Sequence, residues 1–209
     1  PEVSIEVKEY PASNPNANVK VRVYTPHKAP KKLPGLIFIH GGGMVMGDLD
    51  GGNHLACINF CKDLQCVVVS LDYRKAPEHP YPAGSLDCYY STLWVFEHAD
   101  VLGIDKKNIG LYGGSAGGNL VLSVALRIRD QGGPKIKFMC PIYPMLNPEN
   151  QTASSQRIRK PEYIWNRDLN IEAWSYYLQG KEADLYAAPS VAQDLRKLPP
   201  TFSDVGDFD

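Results

Sequence analysis

The sequence predicts an α/β domain: a mostly parallel sheet with helices on both faces. Three observations carry that expectation. Short runs with apolar residues on both faces recur at 36–39 (Leu-Ile-Phe-Ile), 67–69, 109–112 and 136–142, and strands buried on both sides are the habit of parallel sheets. Helix-length segments with apolar residues at helical spacing lie between those runs, and strands alternating with helices imply right-handed crossovers. The length, 209 residues, suits one domain with a real core and is too short for two comfortable ones, so residues 1–209 are read as a single domain.

Taken in order, residues 3–7 and 19–23 alternate apolar and polar, with the turn-rich Pro11-Ala12-Ser13-Asn14-Pro15-Asn16 between them. That pattern predicts an antiparallel pair at a sheet edge. Helices are expected over 54–64 (Leu55, Ile58, Cys61, Leu64), 85–99 (Leu86, Tyr89, Leu93, Phe96) and 120–129 (Leu120, Val121, Val124, Ile128). Residues 147–180 start polar and turn aromatic, with Tyr163, Trp165, Trp174, Tyr176 and Tyr177. They read as an excursion over the active-site end of the sheet, helical at 171–178, whose rings either wall a pocket or pack the core. Residues 199–205 look like one more strand.

Composition excludes several classes. A formal net charge of −1 gives no electrostatic reason to propose nucleic acid or an anionic membrane as partner, and the basic stretches 28–32 and 157–160 read as solvated surface. The apolar runs fall far short of the ~20 residues of a membrane-spanning helix, and the start shows no basic-then-apolar signal pattern. Five cysteines, Cys57, Cys61, Cys66, Cys88 and Cys140, sit in apolar segments without zinc spacing. Cys57 and Cys61 would share a helix face, so a thiol–metal site is conceivable, but small buried hydrophobes in a reducing compartment, the cytoplasm, are the expectation. No metal or organic cofactor is implied, and a homodimer is left open.

The chemical signal is Gly113-Gly114-Ser115-Ala116-Gly117, a Gly-x-Ser-x-Gly placed between a predicted strand and a predicted helix. A nucleophile elbow needs a strained turn that presents a serine at the strand's carboxyl end, with glycines where a β-carbon would strike the neighbouring strand and helix. The second signal is His40-Gly41-Gly42-Gly43 at the end of another predicted strand. Consecutive glycines let backbone N–H groups turn toward a ligand unobstructed. Together the two suggest a serine hydrolase with an oxyanion hole.

On these residues the chain resembles the hormone-sensitive-lipase-like carboxylesterases of the α/β-hydrolase fold. Asp72-Tyr73-Arg74-Lys75-Ala76-Pro77-Glu78-His79-Pro80-Tyr81-Pro82-Ala83, Tyr143-Pro144 and Leu198-Pro199-Pro200-Thr201-Phe202 follow the same order. The resemblance implies Ser115 as nucleophile and the amides of Gly42, Gly43 and Ala116 as the oxyanion hole, with His40, Gly41, Gly113 and Gly117 supporting the two motifs. It implies small esters of short to medium acyl chains as substrates. By the residues alone Asp204, Asp207 and Asp209 are equal candidates for the acid; the register of the resemblance selects Asp209. Two positions depart from the family pattern: Gly114 replaces an aspartate, and Met44 stands where a tryptophan is common.

Triad order in this fold runs serine, acid, histidine, yet all five histidines (His27, His40, His54, His79, His98) precede Ser115. The resemblance places the histidine a few dozen residues after Asp209. The expectation is therefore a C-terminally truncated α/β-hydrolase domain, lacking the base, a last strand and a last helix, and marginally stable on its own. The alternatives are a ligand-binding protein on a hydrolase scaffold, and an amidase or deacetylase using the same machinery.

Overall fold

Valine runs and glycine turns settle the architecture of this chain, whose computed structural model describes residues 2–11, 18–27, 32–158 and 164–206. Six strands form one sheet in the order β1-β2-β4-β3-β5-β6. These are β1 (Val3–Pro11), β2 (Asn18–Pro26), β3 (Leu33–Ile39), β4 (Val67–Asp72), β5 (Ile104–Gly114) and β6 (Phe138–Ile142). The first two form the expected antiparallel pair, β1 at the edge, and β2 also runs antiparallel to β4. The remaining pairs, β3–β4, β3–β5 and β5–β6, are parallel.

The helices are α1 (Gly51–Asp63), α2 (Ala83–Glu97), α3 (Ala116–Gln131), α4 (Ala153–Arg157) and α5 (Arg167–Leu178). On one face of the sheet α2 and α3 pack together over a large core that holds Ile37, Ile39, Val69, Leu111, Leu120 and Val124. On the other face α1 covers a smaller cluster with Phe38, Val68, Cys57, Cys61 and Cys66. The cysteines are free. Burial pushes the Cys57 and Cys61 thiols up to about 12 and Cys66 to about 11, so they pack as neutral side chains. Among the described residues no helix is long and apolar enough to cross a membrane.

Several expectations need correction. Of the residues at helical spacing in 54–64, Leu55 and Leu64 are exposed, whereas Cys61 is buried as expected, with Cys57 beside it on the face that meets the sheet. Helix α3 starts at Ala116, directly after Ser115 as the elbow requires, so the apolar spacing at 120–129 marks only part of it; the glycines of its first turn blur the pattern and are needed there for close approach. The strand expected from 136 begins at Phe138. Residues 199–205 do not form a strand: one parallel bridge joins Thr201 to Met139. That bridge consists of Met139 N–H to the Pro200 carbonyl and Phe202 N–H to the Met139 carbonyl, and Tyr143 N–H to the Asp204 carbonyl continues the alignment.

The chain visits β3, then β4 on one side of it, then β5 on the other. Strand order thus reverses at β3, and in open α/β sheets such a switch point opens a crevice at the strands' carboxyl ends. Ile39 pairs with Gly113 at that end, which brings the loops after β3 and β5 side by side.

Candidate active site

The turn after β5 is built around Ser115, whose backbone sits at φ 55°, ψ −121°. Such a conformation is costly for a residue with a side chain and persists only where surroundings hold it. Here the Ser115 N–H donates to the Ile142 carbonyl (2.9 Å), and its own carbonyl accepts from Asn119 and Met145 N–H (both 3.1 Å). Sterics seal the turn. A β-carbon on Gly117 would collide with the Ile39 carbonyl oxygen and lie 2.7 Å from that of His40; one on Gly113 would lie 2.8 Å from the Ile39 oxygen. The elbow helix therefore presses directly on the end of β3, and only glycine permits that contact.

The loop after β3 is fixed from behind. His40 is fully buried. Its Nδ1–H donates to the Gly41 carbonyl (2.7 Å), and its ring stacks on Tyr73 at 4.3 Å between centroids. The Tyr73 hydroxyl donates to the His40 carbonyl (3.0 Å). Burial, with Lys75 nearby acting in the same direction, lowers the imidazole pKa against the bond to Gly41, so the ring is neutral and serves as a brace. Three residues on, Ala76 N–H donates to the Met44 carbonyl (2.9 Å). Between these anchors Arg74 is clamped by the fully buried Asp87 of α2. Its backbone N–H and Nε donate to Oδ2 (3.0 and 2.8 Å), and its Nη2 donates to Oδ1 (2.8 Å).

Held this way, the loop turns tightly at Gly42 (φ 120°), whose carbonyl accepts from Val45 and Met46 N–H (3.0 and 2.9 Å). Among the described residues the N–H groups of Gly42, Gly43 and Ala116 donate to no backbone carbonyl. Gly41 lies against the elbow: a β-carbon there would stand 2.9 Å from the Gly114 carbonyl oxygen and 3.4 Å from Ser115 Cβ. Unpaired amides beside a serine can stabilise a negative oxygen as it develops.

Ser115 is half-buried and lines a cavity of about 250 Å³ with Tyr143, Met145, Trp165 and Arg167. Of the aromatic segment, Trp165 belongs to this cavity, whereas Trp174 and Tyr177 are core and Tyr176 is exposed; Tyr163 lies outside the described residues. The Trp165 ring lies over Gly43, 3.0 Å at Cζ2 from where a β-carbon would be.

The departures also resolve. Met44 is buried in the core, away from the entrance. The space beside Gly114 is filled by the Tyr143 ring, 3.1–3.3 Å from a β-carbon position. Asn119, two residues past Gly117, ties the elbow helix to the segments that flank the excursion on either side. Its Nδ2 donates to the Met145 and Ala187 carbonyls (2.7 and 2.9 Å).

Of the acid candidates, Asp204 is exposed and its Oδ1 accepts from Val205 N–H (2.9 Å); Asp207 and Asp209 lie outside the described residues. Among the described residues no histidine hydrogen-bonds the Ser115 hydroxyl. His54 Nδ1 lies 2.9 Å from the Tyr24 hydroxyl and His98 Nδ1 bonds the Trp94 carbonyl (2.9 Å). No cluster of three His, Cys, Asp or Glu side chains able to hold a metal occurs among the described residues.

The profile of the alpha/beta hydrolase fold family matches residues 36–209. Esterase LipI of Mycobacterium tuberculosis is 36% identical over 98% of the chain and 65% of its own length. An arylesterase of Saccharolobus solfataricus is 33% identical over 90% of the chain and 61% of its own. A solved bacterial heroin esterase superposes with TM-score 0.94 at 33% identity, covering 100% of this chain and 67% of that one. The chain thus spans less than two thirds of the length of the curated relatives it matches.

Proposed function

We propose, from the premise that this chain belongs to the alpha/beta hydrolase fold family and to its hormone-sensitive-lipase-like branch, that the whole protein hydrolyses carboxylic esters through an acyl-enzyme on Ser115. One observation carries the reading: a strained serine, at φ 55°, lines a cavity at a turn packed against the glycine loop after β3, and among the described residues the Gly42, Gly43 and Ala116 amides donate to no backbone carbonyl.

In this mechanism the Ser115 oxygen attacks the ester carbonyl while its proton passes to a base. The carbonyl oxygen becomes negative and is received by the N–H groups of Gly42, Gly43 and Ala116, in a position prepared before substrate arrives. The tetrahedral species collapses, the alcohol leaves with the proton, and water repeats the sequence on the acyl-serine. A serine hydroxyl is a poor nucleophile without a base that an acid orients. The proposal assigns the acid to Asp209 and leaves the base to a histidine outside these 209 residues. Small esters are the proposed substrates, and the five free cysteines support a reducing compartment, the cytoplasm.

The test is hydrolysis of 4-nitrophenyl butyrate by the whole protein and its Ser115→Ala variant. A loss of at least about a thousandfold in kcat is expected from removing the nucleophile. Turnover retained within tenfold would exclude Ser115 as the reacting group.

A further inference from the structure

The cavity wall opposite the nucleophile is more polar than a pocket for plain acyl chains requires. Much of that polarity is self-satisfied. Trp165 Nε1–H donates to Asn170 Oδ1 (3.0 Å), Asn170 Nδ2 donates to Asn150 Oδ1 (2.6 Å), and Asn150 Nδ2 donates to the Pro148 carbonyl (2.7 Å).

Arg167 is the exception. It lines the same cavity as Ser115, and its Nε is out of solvent with no hydrogen-bond partner. Among the described residues it forms no ion pair, and no Asp or Glu lines the cavity. Its backbone, by contrast, is anchored. The Arg167 N–H donates to the Ile158 carbonyl (2.9 Å), and the preceding Asn166 caps α5 by accepting from Asp168 and Leu169 N–H (3.1 Å each). A guanidinium whose Nε is out of solvent and that meets no counter-charge among the described residues gains from an anion that reaches it. Its planar fork matches a carboxylate.

We infer that this cavity takes an ester bearing a carboxylate, with Arg167 as the residue that binds the carboxylate. The inference rests on Ser115 being the nucleophile and names the substrate class of that site. The volume, about 250 Å³, lies below the roughly 300–1,000 Å³ of ordinary ligand clefts and suits an acid of a few carbons.

The experiment compares matched pairs on the whole protein. Mono-4-nitrophenyl glutarate against 4-nitrophenyl pentanoate places the carboxylate in the acyl half; O-acetyl-lactate against isopropyl acetate places it in the alcohol half. In one pair the wild type should favour the charged ester by about tenfold or more in kcat/KM, the scale of a charge-assisted bond. Arg167→Gln should bring that ratio close to one. The ratio is taken within one sample, so it does not depend on the folded fraction. Ratios near one in both wild-type pairs, or a preference unchanged in Arg167→Gln, overturn the inference.

A second measurement separates it from the reading it rests on. Calorimetric titrations of the Ser115→Ala protein with mono-4-nitrophenyl glutarate and with O-acetyl-lactate should show, for at least one of them, binding that the added Arg167→Gln change removes. If the wild type cleaves no ester but this difference in binding appears, the hydrolase reading fails and the carboxylate site stands. Equal binding by both variants removes the site.

Discussion

The floor and the rim of the cavity are made of different material. The floor, the loop after β3 and the elbow after β5, is backbone against backbone. Its contacts run through the carbonyls of Ile39, His40 and Gly114, at distances where a β-carbon cannot stand. The rim, formed by described residues within 145–158 and 164–170, is joined largely through side chains: an amide relay from Trp165 through Asn170 and Asn150, beside Arg167, whose Nε has no hydrogen-bond partner. Reaction chemistry common to many esters can reside in the floor, because amide positions do not depend on side-chain identity. On the proposed function, selection among esters would fall to the rim, where one substitution changes a charge without moving the sheet.

The sharpest way to break the contrast is Gly117→Ala. One added methyl strikes the Ile39 carbonyl and lies 2.7 Å from that of His40, so either α3 or the whole loop after β3 must move. Overpacking of this kind costs about 3 kcal/mol at its upper end. A displacement near 1 Å at reacting groups costs about a hundredfold in rate. Thermal melting and ester kinetics together test it: near-normal kcat in this variant means the floor tolerates adjustment and the contrast is wrong. Asp87→Ala attacks the same region from behind. Removing a buried carboxylate strands its partner, and because the Arg74 side chain keeps 21% exposure, water offsets part of the loss. About 2–3 kcal/mol is expected, read as a drop of roughly 5–10 °C in Tm. An unchanged Tm would show that the connector holds the loop without this clamp.

The same division explains what could be read before the structure. The floor was legible because its requirement is written as glycine at fixed offsets. Gly113 and Gly117 bracket Ser115, and three glycines follow His40, so steric demand leaves a mark in one dimension. The valine and isoleucine runs marked β3, β4 and β5 for a related reason, burial on both faces. The rim left no such mark. Nothing in the local pattern separates Trp165, which lines the cavity, from Trp174, which is core. Nor does it isolate Arg167 from the arginines at 157 and 159, since a side chain's partner depends on what the fold brings opposite. The rotated face of α1 is a similar case. Leu55 and Leu64 satisfy helical spacing, but they are exposed, and the face that packs on the sheet cluster carries Cys57 and Cys61 with Ile58 and Phe60 at its edge. Residues 199–205 kept the apolar character of a strand, yet pairing depends on a neighbour, and one bridge to Met139 is what they form.

The mildest change sharpens the contrast from the rim side. Asn166 accepts from two N–H groups at the start of α5, and replacing such a cap by alanine costs about 1 kcal/mol. For a protein of this size that is a shift of roughly 2–4 °C in Tm, smaller than either floor variant. Its functional effect should be selective. Freed of its cap, the first turn of α5 frays, and Arg167 is the first residue of that turn. The preference for a carboxylate-bearing ester over its neutral partner should therefore shrink in Asn166→Ala. Gly117→Ala should instead slow both esters by similar factors, since both use the same amides. If Asn166→Ala slows the two esters equally and leaves their ratio intact, rim and floor are one mechanical unit, and the division of labour between them does not hold.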